Sequence, residues 1–155
     1  MKLLVDTSVW SLALGRKNTA SLGPDEQKLE AELVQAIQDG RVAMLGLLRQ
    51  ELLSGIKEKV QFDKVKVALA PYLDEPINTD DHEYAARVYN ECRNHGVEAG
   101  TVDLLICAVA VRRGWEVLSG DGGLYRCLAV TKKVHEKHPR NSAMEEVKTR
   151  RTSRT

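Results

Sequence analysis

Four carboxylates stand in surroundings that set them apart from the other acids of the chain: Asp6, Glu51, Asp103 and Asp121. Asp6 closes the apolar run Leu3-Leu4-Val5. Asp103 precedes Leu104-Leu105-Ile106-Cys107-Ala108-Val109-Ala110, among the most apolar stretches of the sequence. An ionised carboxylate in such a setting is costly unless it is paired or holds a cation. Asp121 lies in the turn Gly120-Asp121-Gly122-Gly123, and Glu51 in the segment after a second apolar run. Singly, each has an ordinary explanation. An Asp near a helix start complements the macrodipole by about 0.3–1 kcal/mol, Asp-Gly is a common turn, and Glu51 suits a solvated helix face. With 22 acidic residues in the chain, only convergence gives these four a chemical role.

Carboxylates drawn within a few ångströms of one another repel and take up protons unless a cation sits among them. An all-oxygen set selects Mg²⁺, with Mn²⁺ as its substitute, rather than zinc. No His/Cys set competes. His82 and His95 are separated along one helical stretch, His135 and His138 lie near the C-terminus, and all four are expected at the surface. Cys92, Cys107 and Cys127 lack metal-ligand spacing. A divalent cation held by carboxylates suits phosphodiester cleavage, because it acidifies and orients water and offsets charge in the transition state.

The elements that must position these acids follow from periodicity and punctuation. The run 3–5 is a buried strand with Asp6 at its end. A helix is expected over 24–39, with Pro24, Asp25 and Glu26 at its start, Leu29, Leu33, Val34 and Ile37 on one face, and Gly40 as its stop. Residues 42–45 form the next strand, and 47–56 a helix carrying Glu51. A helix over 60–69 ends before Pro71, and 75–78 is a weak strand candidate because of Pro76. Thr79 or Asp80 caps a helix with Ala85, Val88, Tyr89 and Cys92 inward and Gly96 after it; Thr101 caps another over 102–113. Residues 115–118 are a strand, followed by Asp121. Strands separated by helices imply an α/β fold: a three-layer α/β/α sandwich around a central, mostly parallel sheet. In such sheets chemistry gathers beyond the carboxyl ends of the strands, where Asp6 and Asp121 fall. Asp103, in the first turn of its helix, and Glu51 can face the same edge.

Length, at 155 residues, suits one domain, expected over 1–135, with 136–155 as a basic, flexible C-terminal tail. Scarce aromatics, 5%, argue against base-stacking platforms. The opening Met1-Lys2-Leu3-Leu4-Val5 meets Asp6 before a secretory leader can form, and no run is long enough to span a bilayer, so a reduced, cytoplasmic protein without membrane partners is expected. Net charge is +1, yet residues 131–155 hold eight Lys/Arg against three Glu, leaving the remainder with fifteen against nineteen. A basic segment on an acidic body fits a polyanion partner, but for a terminus without apolar periodicity a disordered, solvated tail is the favoured reading. Arg49, Arg112 and Arg113 are open to contact with phosphate or to structural roles near helix ends.

The motifs resemble the PIN-domain ribonucleases, in particular the toxin of VapBC-type toxin–antitoxin pairs, over about residues 2–130. Leu4-Val5-Asp6-Thr7-Ser8-Val9-Trp10 resembles the family's opening strand and first acid. Glu51-Leu52-Leu53-Ser54-Gly55 is similar to its second acid, Asp103-Leu104-Leu105-Ile106-Cys107-Ala108 to its third, and Ser119-Gly120-Asp121-Gly122-Gly123-Leu124 to its Thr-x-Asp-x-x-Phe segment. Ser119 keeps the hydroxyl of that Thr, while Leu124 replaces Phe, with Tyr125 as a packing substitute. The resemblance implies that Asp6, Glu51, Asp103 and Asp121 are both catalytic residues and metal ligands, backed by the hydroxyls of Thr7, Ser8 and Ser119. It implies Mg²⁺-dependent cleavage of single-stranded RNA by metal-activated water, a cognate antitoxin and a homodimer. Two alternatives stay open. One is a non-catalytic PIN-fold binding domain. The other is a phosphatase of the haloacid dehalogenase type, with Asp6 as nucleophile, although Ser8 stands where that family places a second Asp.

Overall fold

The computed structural model describes residues 1–15 and 21–137. Within them the chain divides into two compact units interleaved in sequence. The first holds Met1–Pro76 and Trp115–Gly122; the second holds Ile77–Gly114 and the described residues from Gly123 on. The α/β class and the parallel sheet read from the sequence are both found. Of the basic tail expected over 136–155, residues 136 and 137 belong to the last helix and the rest lie outside the described residues.

The first unit is built on three short parallel strands, β1 (Leu3–Val5), β2 (Val42–Ala43) and β3 (Glu116–Leu118), in the order β2-β1-β3. Central β1 is buried along its whole length, as an apolar run with a neighbour on either side must be. Its register with β3 pairs Leu3 with Glu116, Leu4 with Val117 and Val5 with Leu118. One step further on, Asp6 and Ser119 are neighbours across the strand ends. Chain order reverses at β1, since β2 lies on one side and β3 on the other, and such a switch point opens a crevice beyond the carboxyl ends.

Helix α1 (Thr7–Ala13) begins directly after Asp6 and buries Val9, Trp10 and Leu12. Trp10 meets Tyr72 edge to face, ring centroids 5.3 Å apart. Helix α2 (Pro24–Gln38) starts with Pro and two acids as expected, but its buried stripe holds Leu33 and Ala36. Val34 and Ile37, assigned inward from the sequence, are 44% and 38% exposed. They flank the 33/36 line, so the small Ala36 takes the inner position.

Helix α3 (Gly46–Leu53) carries Glu51 and is shorter than expected, because Ser54 turns extended and Gly55 takes a left-handed φ of 86°. Helix α4 (Lys59–Leu69) follows. The 75–78 strand is absent. A single parallel bridge joins Met44 to Asp74 instead, with the Glu75 amide donating to the Met44 carbonyl at 2.8 Å; Pro76 has no N–H with which to extend the pairing. Arg49 binds the Asp74 carboxylate at 3.0 Å, the Leu69 carbonyl at 3.0 Å and the Tyr72 carbonyl. Its role is to fasten α3 to the turn after α4.

The second unit comprises α5 (Thr79–Asn94), α6 (Thr101–Arg113) and α7 (Gly122–Lys137) from Gly123 on. The cap of α5 is Asn78, not Thr79 or Asp80: Asn78 and Asp81 exchange side-chain and backbone bonds, each 3.0 Å, in a capping box. The cap of α6 is Gly100, and Thr101 is its first helical residue without a capping bond. Asp81, 1% exposed, also takes Arg112 at 2.5 Å and Arg113 at 3.0 Å, tying the start of α5 to the end of α6. Both arginines are therefore structural. Leu124 is fully buried while Tyr125 is 42% exposed, so Leu fills the expected Phe position itself and Tyr125 does not substitute for it. His82, His95 and His135 are exposed, and His138 lies outside the described residues.

Candidate active site

Asp6 occupies the N-cap position of α1 with extended backbone angles, and its carbonyl accepts from the amides of Val9 and Trp10. An N-cap aspartate ordinarily turns its carboxylate back onto the helix amides. This one does not: no side-chain capping bond forms. Buried to 6% exposure, the carboxylate is held by hydroxyls instead. Ser8 Oγ donates to Oδ2 at 2.8 Å and Ser119 Oγ donates to the same oxygen at 2.9 Å. Oδ1 receives only a long contact, 3.4 Å, from Thr7 Oγ1.

Both serines pass on backbone hydrogen bonds from the turn after β3. The Gly120 amide donates to Ser8 Oγ at 3.0 Å, and the Asp121 amide donates to Ser119 Oγ at 2.9 Å. The turn is thereby laid against Asp6 by two relays, each ending on Oδ2. A Cβ at Gly120 would meet Leu29 Cδ1 at 3.4 Å and Ser8 Oγ at 3.6 Å, ordinary van der Waals contacts, so the turn packs closely here without requiring glycine.

Thr7 makes the third link. Its hydroxyl stands 2.7 Å from Glu51 Oε1, so its one proton belongs to that shorter bond. Glu51 projects from α3 between Leu48 and Leu52, whose burial fixes the helix and points position 51 outward. Asp6 and Glu51, 45 residues apart in sequence, thus share a single threonine hydroxyl.

Of the sequence-derived candidates, the first unit contains Asp6, Glu51, Asp121, Thr7, Ser8 and Ser119. It joins Asp6 to Glu51 through Thr7 and Asp6 to the backbone of Asp121 through Ser119; the side chain of Asp121 itself is exposed. Asp103 belongs to the second unit, half-buried in the first turn of α6, ahead of seven consecutive buried residues. The double role of Ser8, as donor to Asp6 and acceptor from Gly120, was not anticipated. The motif resemblance names its hydroxyl as support for Asp6, and no local signal marks it as the acceptor for Gly120.

The PIN domain family model matches residues 3–127. The chain belongs to the PIN domain family. Its fold is also that of a solved structure, VapBC2 from Rickettsia felis bound to a DNA fragment from their promoter, at TM-score 0.62 and 16% identity, covering 81% of this chain and 92% of that one. No curated protein matches the chain. PIN domains are generally nucleases and typically use divalent metal ions, and membership sets aside the phosphatase alternative.

Whether this PIN domain's own residues suit such an ion is a question of donors. Among the described residues no three His, Cys, Asp or Glu side chains are arranged to hold a metal. The first unit offers a pair, Asp6 and Glu51, and Mg²⁺ is commonly held by one or two carboxylates with water completing its shell. The buried Asp6 has Oδ2 saturated by two hydroxyls and Oδ1 with one long contact. A carboxylate so divided has an oxygen available for a hard cation, and the donor set fits. No helix among the described residues is long and apolar enough to cross a membrane.

Proposed function

We propose that this PIN domain is a divalent-metal-dependent endoribonuclease that cleaves single-stranded RNA, and that it is the toxin of a toxin–antitoxin pair. The observation that carries the reading is the state of Asp6: a buried strand-end carboxylate released from capping, gripped on one oxygen by Ser8 and Ser119, and linked through Thr7 to Glu51. Such a grip is an expensive arrangement for a purely structural acid and a useful one for a ligand, because it fixes the direction of the remaining oxygen.

Asp6 and Glu51 would hold the ion, with Asp103 and Asp121 as the further carboxylates that the family motif supplies. When bound, a divalent ion supplies Lewis acidity toward the phosphodiester. The chain's own part is to orient. Ser8 and Ser119 keep Asp6 from rotating, Thr7 keeps Glu51 beside it, and the glycine-rich turn brings the backbone of 120–121 against the same group. The toxin role, with a cognate antitoxin, a second copy of the chain as partner and a cytoplasmic site of action, rests on the motif resemblance and on the likeness in fold to VapBC2.

The test is cleavage of a labelled single-stranded RNA by the purified chain. Cutting is expected with Mg²⁺ or Mn²⁺, absent in EDTA, and lost in Asp6→Asn and Asp103→Asn variants that keep the wild-type circular dichroism spectrum. Cutting that persists in EDTA would overturn the metal requirement; binding without cutting, under any divalent ion, would favour the non-catalytic alternative.

A further inference from the structure

Helices α5 and α7 enclose a hollow of about 200 Å³ lined by Arg87, Asn90, Glu91, Val134 and Lys137, all within the second unit. Arg87, Asn90 and Glu91 form one face of α5 at helical spacing i, i+3, i+4, and Val134 and Lys137 stand one turn apart on α7. The two walls are held together by the Tyr84 hydroxyl, which donates to the Thr131 carbonyl at 3.0 Å. Val134, 5% exposed, gives the hollow an apolar element, while Arg87 and Lys137 remain exposed to solvent.

Two cations line one small space, and among the described residues neither Arg87 nor Lys137 has a hydrogen bond or an ion pair. This contrasts with Arg112, Arg113 and Arg49, each committed to a carboxylate. Asn90 adds an amide donor. The one opposing charge, Glu91, has its carboxylate 3.8 Å from the His95 ring. Two positive charges against one negative leave a net charge of about +1, which matches a phosphodiester better than a dianionic phosphate monoester.

We propose that this hollow seats a backbone phosphodiester of single-stranded RNA, with Arg87 and Lys137 neutralising the phosphate and Asn90 donating to its oxygen. The proposal rests on the ribonuclease reading for the identity of the polymer, and the hollow itself recognises the phosphodiester. In sequence, the segment after Lys137 carries five more Lys/Arg against two Glu, a composition suited to the same polyanion.

The experiment is a fluorescence anisotropy titration of the full chain with labelled 12-nucleotide single-stranded RNA and DNA, both in EDTA so that no cutting occurs. Three proteins are compared: wild type, Arg87→Ala/Lys137→Ala, and Lys132→Ala/Lys133→Ala, which removes the same charge from exposed α7 positions that do not line the hollow. Each phosphate contact contributes about 0.7 to the salt slope for single strands. The hollow variant, having lost one seated phosphate, should therefore show a slope lower by about 0.7, so that wild type loses about 2.6-fold more affinity between 50 and 200 mM salt. The control pair should keep most of the wild-type slope. Equal losses in the two variants, an unchanged slope in the hollow variant, or no binding of either strand by wild type overturns the proposal. Metal-dependent cutting by wild type, measured separately, decides the nuclease reading whichever way the slopes fall, and a thermal melt confirms that both variants are folded.

Discussion

Ser119 donates to Oδ2 of Asp6 at 2.9 Å across an interval of 113 residues, and the pairing is a direct extension of the β1–β3 register. The same oxygen of Ser119 accepts the Asp121 amide at 2.9 Å. One hydroxyl thereby sets both the rotamer of a strand-end acid and the path of the turn beside it. The geometry of this acid–hydroxyl cluster is a consequence of strand pairing: if β1 and β3 are in register, Asp6 meets Ser119.

Ser119→Ala removes a buried donor and a buried acceptor together. The Asp121 amide loses its partner and Asp6 loses half of its grip on Oδ2, which should destabilise the chain by about 1–3 kcal/mol. Urea denaturation monitored by circular dichroism reads this as a lower midpoint with an unchanged slope. Ser119→Thr should restore most of the stability, since it keeps the hydroxyl.

The sequence makes the strands and the acids legible but not the links between them. β1 and β3 are apolar runs ended by polar or glycine-rich segments, and Asp6 is visible as the first charge after one of them. Helix α1 escapes because it is seven residues long and opens with Thr7-Ser8, residues more at home in caps and turns. Helix α7 escapes because Gly122-Gly123 reads as a turn, and only burial of Leu124, Cys127, Val130 and Val134 holds it helical. The bonds Ser8–Gly120 and Thr7–Glu51 join segments 112 and 44 residues apart, and no local pattern encodes them. Asn78 was passed over as a cap because Thr79 and Asp80 also fit; the capping box selects Asn78, three residues before Asp81.

Asp81 offers a test of the second unit that leaves the first untouched. Its carboxylate serves the capping box and two guanidinium groups at once. Asp81→Ala removes the carboxylate shared by the capping box, Arg112 and Arg113 and should cost about 3 kcal/mol, the lower end for breaking a buried pair because the arginines keep some water. The expected readout is a large drop in melting temperature. Arg113→Lys alone should cost less, since Arg112 retains its 2.5 Å bond.

The three thiols of the second unit are buried and unbridged. Burial, with Cys127 beside it, pushes the Cys92 thiol up to about 11, and burial pushes the Tyr84 hydroxyl up to about 12. A raised folded-state value means that the unfolded chain releases its proton first as pH rises. The stabilisation is complete below the ordinary thiol value of about 8.5 and fades as pH climbs toward 11. Denaturant midpoints should therefore be flat across pH 7–8 and fall between about pH 9 and 11. At pH 8 the native chain should react slowly with a thiol reagent, and the unfolded chain should react at all three cysteines. A midpoint that rises above pH 9 would contradict this reading.

Thr7 separates orientation from ligation most cleanly. Its hydroxyl touches both Glu51 and Asp6, yet it is neither acid nor the predicted ligand. Thr7→Val keeps shape and β-branching while deleting that link, so the fold should persist with nearly the same melting temperature. Glu51, already exposed on α3, would then sample other rotamers, and the pair would have to be reassembled each time an ion arrives. Loss of such a supporting hydrogen bond commonly weakens metal affinity by about 10–100-fold, and the lower end is expected here because Asp6 keeps both serine bonds. Mn²⁺ titration by calorimetry measures the effect directly, without any cutting assay. Thr7→Ser should recover the affinity. If Thr7→Val binds Mn²⁺ as tightly as wild type, Glu51 is not held for an ion by this hydroxyl, and the Asp6–Glu51 pair loses its place as the core of the site.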